Sequence, residues 1–510
     1  MFFAFRALRI QKAFGGISQE ALNHNDASLS LRRSAISGLV WTFAQQFGMQ
    51  AISFIVTIFL ARILSPAQFG LVAMINVFTA LGSALADGGL SQSLIRAKEV
   101  GEKDFSTVFF TNFCISLLLY LILFLTAPLI SVFYKQAELT DIIRVYGLLL
   151  LTTSLSAVQL TRLTKNLQFR IQLAVALPSL ILAGIAGVLF ALNGFGVWSL
   201  VYMGLLQSIL STMQLWIYTG WYPSIRNFSI DRLRYHFKFG INLTAVSVIH
   251  TIYLNVYSLI IGKYFSASTL GFYTRAISLR DIFVNNISTA LNKVLYPTFA
   301  KIQDDNQRLK RAYKKVMLQV FFWVTPLLSC TAIFAEPMIR LVLTAKWLPM
   351  VPYFQILCFI GILTPVQTYN VNILKIKGRS DLFLRLEYVK KVIFLLGIFI
   401  GLQFGIYGLL INQVVSSLLG LYINSYYSGK LITYPLAEQL TDLWNTILVS
   451  SFISAIAFAL LYYLKPGGFI SDFALLVIGF IGYYLMFFAV SYFSRSEALK
   501  DFIGIISKKG

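Results

Sequence analysis

Charge is what this sequence has least of. Of its 510 residues only 12% are Asp, Glu, Lys or Arg, against 57% hydrophobic, whereas soluble domains carry about 25% charged residues. That deficit excludes an ordinary water-soluble domain, because no compact core needs so much apolar surface. Cysteine is scarce too. Cys114, Cys330 and Cys358 each stand in an apolar stretch without metal-ligand spacing, which excludes a disulfide framework and a zinc site. Three histidines, His24, His236 and His250, leave little material for histidine-based chemistry, and no metal or other cofactor is expected. Acidic residues number 20 against 42 basic ones. In a soluble protein the formal charge of +22 would point to nucleic acid. Here the cations gather in short clusters between apolar runs, as membrane topology demands, so no nucleic-acid partner is expected.

Long apolar runs are what the sequence has in abundance. A helix needs about 20 apolar residues to cross the hydrocarbon core, and roughly 14 segments meet that length. Their centres lie near Ile52, Ala80, Leu119, Leu151, Ile181, Leu206 and Ile252, and then near Ile287, Leu327, Phe359, Leu396, Val415, Ala455 and Gly482. The fold class is therefore an all-α polytopic membrane protein, with membrane lipids as its solvent. The stretch Met1–Ala35 is not a cleavable leader, since Arg6, Arg9 and Lys12 interrupt its apolar residues. The longest loops, 222–238 and 301–315, have room for one amphipathic helix each but for no extramembrane domain. If the N-terminus is inside, about 32 Lys and Arg fall on the inner side and about 7 on the outer. That asymmetry puts both termini in the cytoplasm.

The chain repeats itself after six helices. Leu60–Gly70 ends the first span and Ile261–Gly271 ends the seventh; shifted by 201 residues, Arg62 falls on Lys263, Ser65 on Ser266 and Gly70 on Gly271. Six is even, so both copies run the same way and are related by an axis along the membrane normal, a transporter design with its site between the halves. The expected organisation is an extension at 1–34, a lobe of six helices at 35–222, a linker at 223–236 and a second lobe at 237–430. Two additional helices at 431–494 and a tail at 495–510 complete it.

Polar stripes mark the spans flanking each repeated hairpin. Thr42, Gln46, Gln50, Ser53 and Thr57 recur at steps of three and four, as do Asn76, Thr79, Ser83, Asp87 and Ser91. In the second half the stripes are Thr244, Ser247, Thr251, Asn255 and Ser258, and then Ser278, Asp281, Asn285, Ser288 and Asn292. Small hydroxyls serve equally well as glue between membrane helices. Burial in lipid is costly for Gln46, Gln50, Asp281, Asn285 and Asn292, which favours a wet cavity for them. Arg280 lies nine residues past Gly271, about 13 Å along the helix, with Asp281 beside it. Charge at that depth usually marks a substrate or ion path; the competing account is a structural ion pair or a snorkelling arginine. His250 lies mid-span beside a stripe, where a lone histidine is more often a packed hydrogen-bonding group than a proton relay.

Several segments together resemble the bacterial polysaccharide repeat-unit flippases of the MOP superfamily, within it the colanic-acid and teichuronic-acid exporter group. They are Ser37-Gly-Leu-Val-Trp41, Leu60–Gly70, Asp87–Arg96, Leu295-Tyr-Pro-Thr-Phe-Ala-Lys-Ile-Gln-Asp-Asp305, Lys346-Trp347 with Pro349, and Lys377-Gly-Arg-Ser-Asp381. The resemblance implies twelve to fourteen helices in two lobes and export of undecaprenyl-diphosphate-linked oligosaccharides, often coupled to H+ or Na+. Arg280, Asp281, Asn285, Asn292, Gln46, Gln50, Asn255 and Asp87 are then the candidate cavity residues, and Asp281, Asp87 and His250 the titratable candidates for coupling. Many relatives carry an acidic residue shortly before the glycine that ends the seventh span, here Gly262; this chain has Tyr257, which leaves the ion open. Two rivals fit less well. A polymerase or glycosyltransferase needs a sizeable outer loop with catalytic groups, and the outer loops here are short. A cation exporter of the same superfamily wants an acidic cavity, and only Asp87 and Asp281 lie deep in the spans, the latter beside Arg280.

Overall fold

The computed structural model describes residues 45–464 and 469–507, with side chains at all of these except 285–294, 296–297, 464, 469–470 and 505–507. The expected extension at 1–34 and the Ser37–Trp41 segment lie outside the described residues. Among the described residues every regular element is helical, and twelve helices are long and apolar enough to cross a membrane. The chain is thus a multi-pass membrane protein. Two further helices, α10 (Ala267–Ala300) and α14 (Ser380–Leu402), coincide with the other two spans read from the sequence. They are not among the twelve, and charged residues such as Arg280, Asp281, Glu387 and Lys390 interrupt their apolar runs.

The chain forms two compact units, residues 1–267 and 268–510. In the first, α1 (Gln45–Ile63) precedes α2 (Pro66–Asp87), α3 (Leu90–Arg96), α4 (Glu102–Tyr134), α5 (Leu139–Tyr146) and α6 (Leu149–Lys165). Then come α7 (Phe169–Leu192), α8 (Val197–Thr219) and α9 (Ile230–Tyr264). Helix α2 packs against α4 and α9, α4 against α6, and α8 against α6 and α7. The seventh span, α9, therefore packs on helices of the first unit, whereas the sequence-based lobes divide the chain at 223–236. With 33 residues, α4 is about 50 Å long and overreaches a hydrocarbon core of about 30 Å. Its Leu118, Leu121, Leu125, Leu129 and Val132 are all exposed; water would penalise that surface at about 25 cal/mol per Å², and lipid does not. Pro128 inside this helix is tolerated because neighbours in a membrane bundle re-satisfy the freed carbonyl.

The repeated hairpin has a packing reason for its glycine. At α2's start, Pro66 occupies the first turn and the Gln68 carboxamide accepts the Ser65 N–H at 2.9 Å, so the helix is nucleated by its own sequence. One turn on, Gly70 lies against the backbone of Ala267: a Cβ there would fall 1.8 Å from the Ala267 carbonyl oxygen. Only glycine permits that approach, which joins the start of α2 to the hairpin beyond α9.

The second unit contains α10, α11 (Asn306–Ile333), α12 (Ala335–Leu343), α13 (Val351–Ile376), α14 and α15 (Gly405–Ile432). It ends with α16 (Leu436–Leu464), α17 (Phe469–Phe493) and α18 (Glu497–Ser507). Helix α13 packs between α11 and α15, α14 lies on α15, and α16 lies on α11. The two long loops hold no separate amphipathic helix. Residues 230–238 and 306–315 are instead the first turns of α9 and α11. The cations of α11 stay helical because they find partners: Lys310 with Glu438 at 2.8 Å, Lys314 with Asp442 at 2.8 Å, and Lys315 with Asp501 at 3.2 Å. Short amphipathic helices occur at α12 and α18, which are too brief to register as spans, whereas α5 runs into α6 within one span over Leu139–Lys165. On α12, Arg340 pairs with the deeply buried Asp472 of α17 at 3.3 Å.

Candidate functional site

Arg280 and Asp281 sit in the second turn beyond Tyr273 on α10, each partly buried. Their side chains meet although consecutive residues leave a helix about 100° apart. Arg280 Nε and Nη2 donate to Asp281 Oδ1 at 2.9 and 2.5 Å. Arg280 can bend toward its neighbour because its stem has room. Gly361 of α13 presents no side chain, and a Cβ there would lie 3.4 Å from Arg280 Cδ and 3.1 Å from Val284. On the same face of α10, the Tyr273 hydroxyl accepts from Gln413 Nε2 of α15 at 2.7 Å. An arginine has five N–H donors, so two bonds to one oxygen do not exhaust its capacity for phosphate. The carboxylate offsets part of its charge and fixes its direction. The side chains of Asn285 and Asn292 lie outside the described residues.

Gln46, Gln50, Asp87, His250 and Asn255 belong to the first unit. Gln46 and Gln50 of α1 are half-buried, as is Asn255 of α9, whose Nδ2 donates to the Thr251 carbonyl at 2.8 Å. His250 is exposed. Asp87 is half-buried and is the last residue of α2, ahead of Gly88 and Gly89 with φ of 55° and 66°. It is thus at the helix end, where the macrodipole disfavours an anion, and not deep in the span. Of the sequence candidates, the structure brings Arg280 and Asp281 into direct contact.

One polar constellation went unseen in the sequence. His236 of α9, fully buried, lies between Asp104 of α4 (Nε2···Oδ1 3.0 Å) and Ser93 of α3 (Nδ1···Oγ 2.8 Å). Asp104 Oδ2 also accepts the Gly101 N–H at 2.9 Å, and Arg232 reaches Oδ1 at 3.6 Å. Serine, histidine and aspartate in this order are the parts of an acyl-transfer triad. Ser93 is 3% exposed and His236 0%, so no carbonyl substrate has a path to the hydroxyl. The trio instead ties α3, α4 and α9 together beside an apolar cluster of Leu90, Leu94, Phe105, Val108, Phe109, Val158 and Trp221. Nothing in the spacing of 93, 104 and 236 signals this, because three different helices supply them. His236→Ala should lower stability by about 2 to 4 kcal/mol, since it leaves a buried carboxylate and hydroxyl short of partners. A melt of the detergent-solubilised protein measures this; an unchanged midpoint would mean the trio contributes nothing.

Comparison with known proteins places this geometry. A family model described as "Polysaccharide biosynthesis protein" matches residues 59–352. The chain is 25% identical over 406 residues to the lipopolysaccharide biosynthesis protein WzxC of Escherichia coli (strain K12), covering 78% of this chain and 82% of that one. It is 24% identical over 439 residues to the teichuronic acid biosynthesis protein TuaB of Bacillus subtilis (strain 168), covering 84% and 89%. Among solved structures, the fold is similar to the lipid II flippase MurJ in an inward closed conformation. That likeness has a TM-score of 0.71 at 14% identity, over 90% of this chain and 99% of that one. An inward-facing multidrug resistance MATE family transporter of the MOP superfamily matches with a TM-score of 0.58 at 13% identity, over 76% and 96%. The resemblance read from the sequence motifs is borne out.

Proposed function

As a member of the polysaccharide biosynthesis protein family, this chain, we propose, is a flippase that carries undecaprenyl-diphosphate-linked oligosaccharide repeat units across the bacterial cytoplasmic membrane. The observation that carries the reading is the family match over residues 59–352; a fold shared with a lipid II flippase supports it. The chemistry agrees. The cargo is an anionic diphosphate with a polar glycan on a lipid tail, and it needs a path with cations and hydrogen-bonding groups but no catalytic group. The relatives point to transport without covalent chemistry. We read about 14 spans in two six-helix lobes that alternate access, with the linker at 223–236 and with Gln46, Gln50, Asp87, Asn255, Arg280, Asp281, Asn285 and Asn292 facing the path. Asp281, Asp87 and His250 are the groups available to a coupling H+ or Na+.

Transport is tested with the purified chain in proteoliposomes loaded with a fluorescent prenyl-diphosphate oligosaccharide. Protein-dependent exposure of the label to a membrane-impermeant quencher is the expected result. Sealed label together with movement of an organic cation would replace the reading with drug export. Orientation is tested separately. From the lysine and arginine asymmetry, reporter fusions near Asn306 and Gly378 should report cytoplasm and a fusion near Ala267 the outside. Labelling of Ala267→Cys only after permeabilisation would reverse the topology.

A further inference from the structure

Helices α13, α14 and α15 line a largely open cavity of about 320 Å³, at the lower end of the range for small-ligand sites. One face of α13 supplies Gln367, Thr368, Asn372 and Lys375, α14 supplies Lys390, and α15 supplies Asn424. The positions 367, 368, 371, 372 and 375 recur at helical spacing, so α13 presents one face to the cavity, polar except at Val371. Lys390 Nζ donates to Asn424 Oδ1 at 3.2 Å and pairs with Glu387. Asn424 is 1% exposed, so the amide is built into the wall. Lys375 is exposed at the far end of α13 and lies 4.6 Å from the centroid of the Phe383 ring.

Lys390 stands ten residues into α14, about 15 Å from its start. An ammonium group held partly buried within a bundle of membrane helices is costly and usually serves a function. Charge balance on the three helices favours an anion. Lys375, Arg385, Lys390, Lys391 and Lys430 stand against Asp381 and Glu387, and Asp381 is already held by Arg379 at 3.0 Å. Two ammonium groups and three carboxamides around one cavity suit a group bearing several anionic oxygens. Lysine contributes a point charge, and the amides contribute directed donors.

We propose that this cavity, lined by Gln367, Thr368, Asn372, Lys375, Lys390 and Asn424, binds the diphosphate headgroup of the lipid-linked cargo, a site separate from the Arg280–Asp281 pair. The assignment rests on the flippase reading for the source of the diphosphate. With cytoplasmic termini, Lys375 marks the cytoplasmic end of α13, so the cavity takes the headgroup at loading.

The test uses the full chain in lipid nanodiscs and three probes: farnesyl diphosphate, inorganic pyrophosphate and farnesol. Two variants remove the cations without stranding a buried charge, namely Lys375→Gln at an exposed position and the pair Glu387→Gln/Lys390→Gln. Lys301→Gln, an exposed cation elsewhere, controls for net charge. Farnesyl diphosphate should bind more tightly than pyrophosphate or farnesol, lose tenfold or more affinity in both variants, and keep its affinity in the control. Affinities within twofold of the unaltered chain in both variants would overturn the site. Pyrophosphate binding as tightly as farnesyl diphosphate would overturn the lipid headgroup as its ligand. The two readings fail separately. Lysine-dependent binding without lipid flipping in proteoliposomes keeps the cavity and removes the flippase; flipping at full rate by both variants does the reverse.

Discussion

Arg280→Ala should reduce export of the lipid-linked glycan by roughly 30-fold or more, while Arg280→Lys keeps a measurable fraction. At an effective dielectric near 20, a unit charge about 4 Å from a phosphate oxygen is worth about 4 kcal/mol. Asp281 sits 2.5 Å from Nη2 and cancels part of this. About 2 kcal/mol is a fair remainder, and 1.4 kcal/mol is a factor of ten. Lysine preserves the charge but loses the planar two-pronged donor set, so it recovers only part. The pairing matches the ion pair that stood as the competing account in the sequence: Arg280→Ala alone strands the Asp281 carboxylate in a partly buried position, and inactivity would then report misfolding.

The double variant Arg280→Gln/Asp281→Asn separates the two outcomes. Replacing both members of an ion pair together is often neutral for stability, whereas removing one is not. The double variant should reach the membrane at normal levels and melt within a few degrees of the unaltered protein, yet remain deficient in export. Full export by the double variant would reduce the pair to a structural contact. Asp281→Asn alone should raise affinity for the anionic cargo and slow its release, because the guanidinium is then no longer partly neutralised.

Hydropathy made most of the helices legible, because a span of about 20 apolar residues is fixed by bilayer thickness alone. The matched hairpins were legible for the same kind of local reason: Ser65, Pro66 and Gln68 start α2 whatever surrounds them. The approach of Ala267 that makes glycine necessary at Gly70 is a tertiary fact with no local trace. Charged helix starts misled in one respect. The Lys and Arg of 306–315 read as a loop, although ion pairs with Glu438, Asp442 and Asp501 keep them helical. Lys390 counted only as one of the inner-side cations, because it stands among other charged residues; α14 runs from Ser380 and carries it into the helix. Arg280 and Asp281 were visible because charge in an apolar run is conspicuous. Ser93, Asp104 and His236 were not, because three helices far apart in sequence assemble them.

Asn370→Leu should lower the stability of the second unit by about 3 kcal/mol. Asn370 is 0% exposed on α13. Its Nδ2 donates to Ser425 Oγ at 3.0 Å and to Gln439 Oε1 at 2.9 Å, and its Oδ1 accepts from Ser428 Oγ at 2.5 Å and Gln439 Nε2 at 3.2 Å. Gln439 passes the network to the Tyr434 carbonyl at 2.9 Å, and Tyr434 donates its hydroxyl to Asp442, the partner of Lys314. Helices α13, α15 and α16 thereby meet around one carboxamide, and α11 joins the network through Lys314 and Asp442. Interhelical hydrogen bonds in membranes average only about 0.6 kcal/mol each, so their loss alone accounts for about 2 kcal/mol here. Gln439 Nε2 keeps the Tyr434 carbonyl and Ser428 Oγ keeps the Ser425 carbonyl, but leaving Gln439 Oε1 and Ser425 Oγ without the Asn370 donor costs more, and that second effect should dominate. The double variant Asn370→Leu/Gln439→Leu decides between them. If unsatisfied groups carry the penalty, the double variant recovers part of the melting temperature lost by Asn370→Leu, because it removes the largest stranded amide. If lost attraction carries it, the double variant is no more stable than the single one, and the network acts as a sum of weak bonds.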